Sequence, residues 1–161
     1  MKPKLIVFDL DYTLWPFWVD THVTPPFCKE RDGKVYDANR QVVNLYPDSL
    51  EILKHLKDND YDLAVASRTG STEEAEQLLH LFDMNKYFVM KQIYPGRKTT
   101  HFSKFQNAFN HCYTDMLFFD DEHRNIRDLS SIGVTCVLVE EGMNWDYLNR
   151  GLNLHKEKKS S

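Results

Sequence analysis

A chain of 161 residues with 42% hydrophobic and 27% charged residues has the length for one domain with a full core and the composition of a globular protein. Its net charge of −4 gives no global attraction to nucleic acid or anionic lipid, so an anionic ligand needs a locally positive site. The three cysteines, Cys28, Cys112 and Cys136, form neither a C-x-x-C pair nor an even framework, which reads as a reducing, cytoplasmic setting; the apolar run after Lys4 is too short for a signal peptide or a membrane span.

The first element carries the most information. Leu5-Ile6-Val7-Phe8 suits a buried parallel strand over residues 4–8, and it runs into Asp9-Leu10-Asp11-Tyr12-Thr13. Open α/β sheets bind ligands beyond the carboxyl ends of their strands. Period-2 geometry turns Asp9 and Asp11 the same way, so two carboxylates converge where the strand stops. Such a pair suits a divalent cation and a division of nucleophilic and acid–base work. From residue 15 to 46 the pattern breaks: Pro16, Pro25, Pro26 and Asp32-Gly33 punctuate short strand-like pieces at Val35-Tyr36 and Val42-Val43. This predicts a small β-hairpin flap, with no large cap domain, that leaves the site open. The aromatics Tyr12, Trp15, Phe17 and Trp18 either pack that flap onto the core or line its mouth.

Helical and strand-like patterns then alternate: helices over 47–58, 72–82, 100–111 and 122–131, strands over 61–66, 86–90, 115–119 and 134–139. Leu50, Leu53 and Leu56 mark the first helix; Ala75, Leu78, Leu79 and Phe82 mark the second. Pro47 fits a first helical position, and Ser71 with Glu74 fits a capping box. The alternation predicts an α/β fold, a doubly wound parallel sheet in one domain over 1–154. The Lys- and Ser-rich stretch 155–161 reads as a solvated, disordered tail.

Three later strand ends carry chemistry. Leu63-Ala64-Val65-Ala66 ends in Ser67-Arg68-Thr69, where a hydroxyl and backbone N–H groups can hold phosphate oxygens or cap the next helix. Tyr94-Pro95-Gly96-Arg97-Lys98 is a turn closing in two cations, one of which can neutralise a phosphoryl group. Met116-Leu117-Phe118-Phe119 ends in Asp120-Asp121, followed by Asn125, repeating the logic of the first strand. Two acidic strand ends in one parallel sheet make a hard-cation site suited to Mg²⁺. The histidines show no metal-ligand spacing: His80 and His101 read as surface or helix positions, and His123 adjoins a candidate site residue. Neither a P-loop nor a Gly-x-Gly-x-x-Gly run is present, and basic residues are not interleaved with aromatics, so nucleotide and nucleic-acid cradles are not expected.

The order of these signals resembles the haloacid dehalogenase-like superfamily, with Asp9 and Asp11 in its D-x-D-x-T motif, Ser67 at the second-motif hydroxyl, Lys98 at the lysine and Asp120-Asp121 with Asn125 at the terminal acidic motif. Phe8 to Trp18, Ala66 to Thr69 and Phe118 to Glu122 resemble the magnesium-dependent phosphatase 1 family almost residue for residue, with His123 and Arg97 as departures. The resemblance implies a Rossmann-like core and Mg²⁺-dependent hydrolysis of phosphomonoesters. In that reading Asp9 is the nucleophile and Asp11 the acid–base. Mg²⁺ is held by Asp9, the Asp11 carbonyl and Asp121. Leu10, Ser67, Arg68 and Lys98 contact the phosphate, and Asp120 and Asn125 orient the ligands. It implies a phosphotyrosine peptide, protein or aryl phosphate as substrate, with a sugar phosphate or a protein-bound sugar phosphate as the alternative. A phosphate-binding protein without turnover stands as the reading from another class. A monomer with no membrane or nucleic-acid partner is expected.

Overall fold

The computed structural model describes residues 2–160. Five parallel strands form the central sheet: β1 (Leu5–Phe8), β5 (Leu63–Ser67), β6 (Phe88–Ile93), β7 (Met116–Asp120) and β8 (Thr135–Leu138), in the order β6-β5-β1-β7-β8. The chain winds from β1 outward through β5 to β6, then returns to the other side of β1 for β7 and β8. The direction therefore reverses between β1 and β7, and the carboxyl ends there open a crevice. Five helices cover the sheet: α1 (Ser49–Asp58), α2 (Thr72–Leu81), α3 (Lys98–Phe109), α4 (His123–Ser130) and α5 (Trp145–Ser160).

Alternation along β1 builds two cores. Leu5 and Val7 pack with Phe102 and Phe105 of α3 and Leu129 of α4. Ile6 and Phe8 pack on the other face with Ile52, Leu53 and Leu56 of α1, Leu78 and Leu79 of α2, and Leu148 of α5. A strand buried on both faces explains why β1 reads as an unbroken apolar run.

The segment between β1 and α1 forms a second, three-stranded antiparallel sheet from β2 (Cys28–Lys29), β3 (Val35–Tyr36) and β4 (Val42–Val43). The expected flap is present, with Cys28–Lys29 as a strand that its sequence did not announce. Trp15 and Phe17 stack with ring centroids 5.4 Å apart and bury themselves, anchoring the flap's base to the core. The loop after β8 locks onto the same base, where Met143 N–H donates to the Thr13 carbonyl at 2.8 Å. Gly142 permits this approach: its φ is +83°, and a Cβ there would stand 2.3 Å from the Tyr46 ring.

Four local expectations change. Pro47 precedes the helix, because Asp48 is the N-cap of α1. Ser71 caps α2 without a side-chain bond; its N–H instead donates to Thr69 Oγ1 at 3.1 Å. Helix α3 starts at Lys98, two residues earlier than the periodicity suggested, so this lysine is fixed in a helical turn and not in a loop. Residues 155–160 of the stretch read as a solvated tail are the end of α5, and Ser161 lies outside the described residues. Leu148, Gly151 and His155 form a buried stripe at helical spacing, and Lys159 bonds Asp115 at 2.8 Å. Lys and Ser there describe the helix's solvent face, which composition alone cannot distinguish from a tail. No described helix is long and apolar enough to cross a membrane.

Candidate active site

Asp9 N–H donates to the Phe119 carbonyl at 3.0 Å, extending the β1–β7 ladder one residue past β1. That register sets Asp9 beside Asp120 at the point where the winding reverses. Lys98 reaches between them from the first turn of α3. Its ammonium is 1% exposed and bonds Asp9 Oδ1 at 2.8 Å and Asp120 Oδ2 at 2.5 Å. Burial works against the charge on Lys98, but the two carboxylates prevail and hold its pKa above the ordinary value.

Both oxygens of Asp120 are engaged. Oδ1 accepts the Glu122 N–H at 2.8 Å, and Oδ2 accepts Asn125 Nδ2 at 3.0 Å besides the lysine. Asn125 in turn accepts Arg68 Nη1 at 3.3 Å, so a hydrogen-bonded chain runs from Arg68 at the rim to Asp9 on the floor. Asp9 Oδ2 accepts the buried Thr13 hydroxyl at 3.2 Å, which accounts for a threonine two residues past Asp11.

Asp11 is held differently. Tyr12 adopts the left-handed region, φ +57°, and folds the chain back so that its N–H donates to the Trp15 carbonyl at 2.7 Å. This turn brings the Trp15 indole N–H 2.7 Å from Asp11 Oδ1, and Val19 N–H reaches the same oxygen at 3.1 Å. Both donors use one oxygen, and Oδ2 is left to the cleft. Burial raises the Asp11 pKa, and the two donors offset part of that rise.

The two carboxylates, with Ser67, Arg68, Lys98 and Asn125, line a cleft of about 250 Å³. Trp18, Asp20 and Thr21 of the flap and Glu122 complete its mouth. Ser67 ends β5 with its hydroxyl accepting the Thr69 N–H at 3.2 Å. Leu10 is fully buried and does not line the cleft. His123 opens α4 in an exposed position, and His80 is exposed on α2.

Carboxylate oxygens of Asp9, Asp120 and Asp121 lie within 4.8 Å of one another. Burial is the first cause that drives the Asp9 pKa well above the usual carboxylate range, with Asp120 adding to it and Lys98 opposing. The Asp121 carboxyl is likewise pushed up to about 6, first by burial. Asp120 accepts from three donors and Asp9 from two, Lys98 and Thr13, so Asp9 and Asp121 keep more lone pairs for a cation. An all-oxygen donor set beside a water-accessible cleft fits a hard divalent ion that keeps part of its hydration.

The structure thus brings together all of Asp9, Asp11, Ser67, Arg68, Lys98, Asp120, Asp121 and Asn125, although Asp121 faces Asp9 without lining the cleft. Sequence reasoning did not find the roles of Trp15 and Val19, whose hold on Asp11 depends on a left-handed turn at a tyrosine. His101 lies on a helix, one of the two settings expected for it, but sequence reasoning did not find that it is fully buried against Ser67 and Tyr94. Its spacing of three residues from Lys98 becomes informative only once α3 is known to begin at that lysine.

The acid phosphatase family profile matches residues 1–158. The chain is 55% identical over 150 residues to magnesium-dependent phosphatase 1 of Homo sapiens, an alignment covering 93% of this chain and 85% of the human one. It is 40% identical over 144 residues to a HAD-like hydrolase superfamily protein of Schizosaccharomyces pombe, covering 83% of each. A solved structure of the N-terminal part of a Bacteroides fragilis protein, containing a phosphatase domain and complexed with Mg, superposes with a TM-score of 0.67 at 20% identity, over 95% of this chain and 40% of that longer one. That last likeness concerns the fold.

Proposed function

The chain belongs to the acid phosphatase family, within the haloacid dehalogenase-like superfamily, and from that premise we propose that it hydrolyses phosphomonoesters with Mg²⁺ through a covalent aspartyl-phosphate on Asp9. The observation that carries the reading is the buried Asp9–Lys98–Asp120 arrangement at the sheet's reversal point, with Asp11 turned into the same cleft. A carboxylate approaches a phosphate dianion only if positive charge offsets the repulsion, and Lys98 is fixed where it does so. In the first step an Asp9 oxygen bonds to phosphorus as the ester P–O bond breaks, and Asp11 gives its proton to the departing oxygen. In the second, Asp11 takes a proton from water, whose oxygen bonds to phosphorus as the bond to Asp9 breaks. Inorganic phosphate leaves and the starting state is restored. Ser67 and Arg68 stand where they can hold the remaining phosphoryl oxygens. Asp9, the Asp11 carbonyl and Asp121 would hold Mg²⁺, which supplies charge neutralisation at the phosphoryl oxygens.

For the leaving group we favour a phosphotyrosine residue or another aryl phosphate. Trp18 supports this choice, since it lines the cleft, is 49% exposed and stacks on His22. A sugar phosphate is the second reading, favoured by Asp20 and Thr21, whose polar atoms at the same mouth suit a polyhydroxyl group. The three unpaired cysteines support a cytoplasmic setting.

Hydrolysis of para-nitrophenyl phosphate by wild type and Asp9→Asn, each with Mg²⁺ and with EDTA, tests the reading. Release that needs both the metal and Asp9 is expected. Turnover surviving in EDTA or in the Asn variant would overturn the mechanism, and phosphate binding without turnover would favour a binding protein.

A further inference from the structure

The imidazole of His101 sits one turn beyond Lys98 on α3 and touches three backbone carbonyls. Nε2 lies 2.8 Å from the Ser67 oxygen and 2.9 Å from the Tyr94 oxygen, and Nδ1 lies 3.2 Å from the Arg97 oxygen. Tyr94 closes the cluster from outside. Its N–H also donates to the Ser67 carbonyl, at 3.1 Å, and its ring stacks on the imidazole with centroids 4.2 Å apart. A ring nitrogen engages a carbonyl only as an N–H donor, and a neutral imidazole has one such N–H. Two acceptors at the shorter distances face Nε2, which assigns the proton to that nitrogen. Burial, with the nearby Lys98 charge, keeps the ring below its ordinary pKa against the pull of the carbonyls, consistent with the neutral tautomer.

The three carbonyls belong to two segments: the end of β5, and the loop between β6 and α3 that supplies both Tyr94 and Arg97. The first carries the Ser67 hydroxyl and the second leads directly into Lys98, the two groups that meet phosphoryl oxygens in the reaction above. We propose that His101 is a positioning residue, whose Nε2–H clamps the Ser67 and Tyr94 carbonyls and so sets the spacing between the Ser67 hydroxyl and the Lys98 ammonium across the phosphoryl group. The inference rests on the phosphatase reading of this site. The spacing matters most in the trigonal-bipyramidal transition state, where both groups must meet oxygens that have moved from their ground-state positions. A displacement of about 1 Å at such a contact is enough to cost about 10²-fold in rate.

His101→Phe keeps an aromatic ring, somewhat larger, to stack on Tyr94 but deletes the donor. His101→Gln returns an N–H at comparable reach, and His101→Asn places it too short. For each variant, thermal unfolding, kcat and KM for para-nitrophenyl phosphate, the Mg²⁺ midpoint, and calorimetric binding of orthovanadate and of inorganic phosphate are measured. In His101→Phe, kcat should fall roughly 10- to 100-fold, as expected for a mispositioned contact. Orthovanadate should weaken more than phosphate, because only the former imitates the transition state. The Mg²⁺ midpoint should stay where it is, since His101 touches none of the proposed ligands. His101→Gln should recover most of the loss. A folded Phe variant with wild-type kcat and a wild-type ratio of orthovanadate to phosphate affinity would overturn the proposal. If the Phe variant does not fold, equal kinetics in the Gln and Asn variants would do the same. Absence of turnover in wild type counts against the phosphatase reading alone, because the two binding affinities still judge His101.

Discussion

At the cleft floor Asp9, Lys98 and Asp120 are 7%, 1% and 0% exposed and are joined through the Lys98 ammonium, whereas at its mouth Trp18, Asp20 and Thr21 are exposed and come from a flap whose strands are two residues each. The floor is over-determined: displacing any one member leaves a buried charge without its partner, which costs far more than the bond itself. The mouth has no such constraint, and its side chains can change while the sheet below stays as it is. Chemistry is therefore fixed by the sheet, and choice of substrate is left to the flap. Asp11 is where the two regions meet, because a floor residue is held by flap donors from Trp15 and Val19.

Four substitutions sharpen this contrast. Asp11→Asn keeps the size of the side chain but removes the proton carrier, and turnover should fall by about 10²- to 10⁴-fold. Alkyl phosphates should lose more than para-nitrophenyl phosphate, whose leaving group needs less protonation; equal losses would count against the acid role. Asp121→Ala should raise the Mg²⁺ concentration for half-maximal rate by about tenfold or more, read from a metal titration. An unchanged midpoint would remove it from the cation's ligands. Trp15→Phe retains an aromatic ring beside Phe17 while deleting the indole N–H to Asp11. The loss of a bond of about 1.5 kcal/mol to a charged group should lower kcat roughly tenfold with little change in KM. Trp18→Ala should have the smallest effect, lowering kcat/KM for aryl phosphates by about 3- to 10-fold, the worth of one aromatic contact. Sugar phosphates, the Mg²⁺ midpoint and the melting temperature should be unaffected. A similar loss for both substrate classes would mean that the mouth belongs to the floor's rigid unit after all.

Much of the floor was legible because it lies at strand ends. An apolar run closing in carboxylates identifies both the strand and the face of the sheet on which its last residues stand, so Asp9, Asp11, Asp120 and Asp121 could be placed together before any coordinates. Lys98 does meet the carboxylates, but from a setting the sequence did not suggest: periodicity begins at the first apolar residue of a helix, and α3 opens with lysine and two threonines. The hold on Asp11 was hidden for a different reason. A positive φ at a tyrosine leaves no compositional mark, and without that turn the Trp15 indole and Asp11 have no reason to meet. His101 was hidden because one histidine on a helix reads alike whether it faces solvent or three carbonyls. The end of α5 was misread because its buried stripe is sparse and its remaining positions are lysine and serine.

The sequence by itself determined the alternation of strands and helices, the parallel sheet, the small flap and the acidic and basic residues of the site, since each follows from local periodicity or from position at a strand end. Only the tertiary structure decided how donors are shared among the carboxylates, which donors orient Asp11 and what His101 holds. The carboxylate and His101 contacts join residues up to 89 positions apart, as between Lys98 and Asp9, and are set by how the sheet is wound; the hold on Asp11 is local but depends on a left-handed turn that composition does not mark.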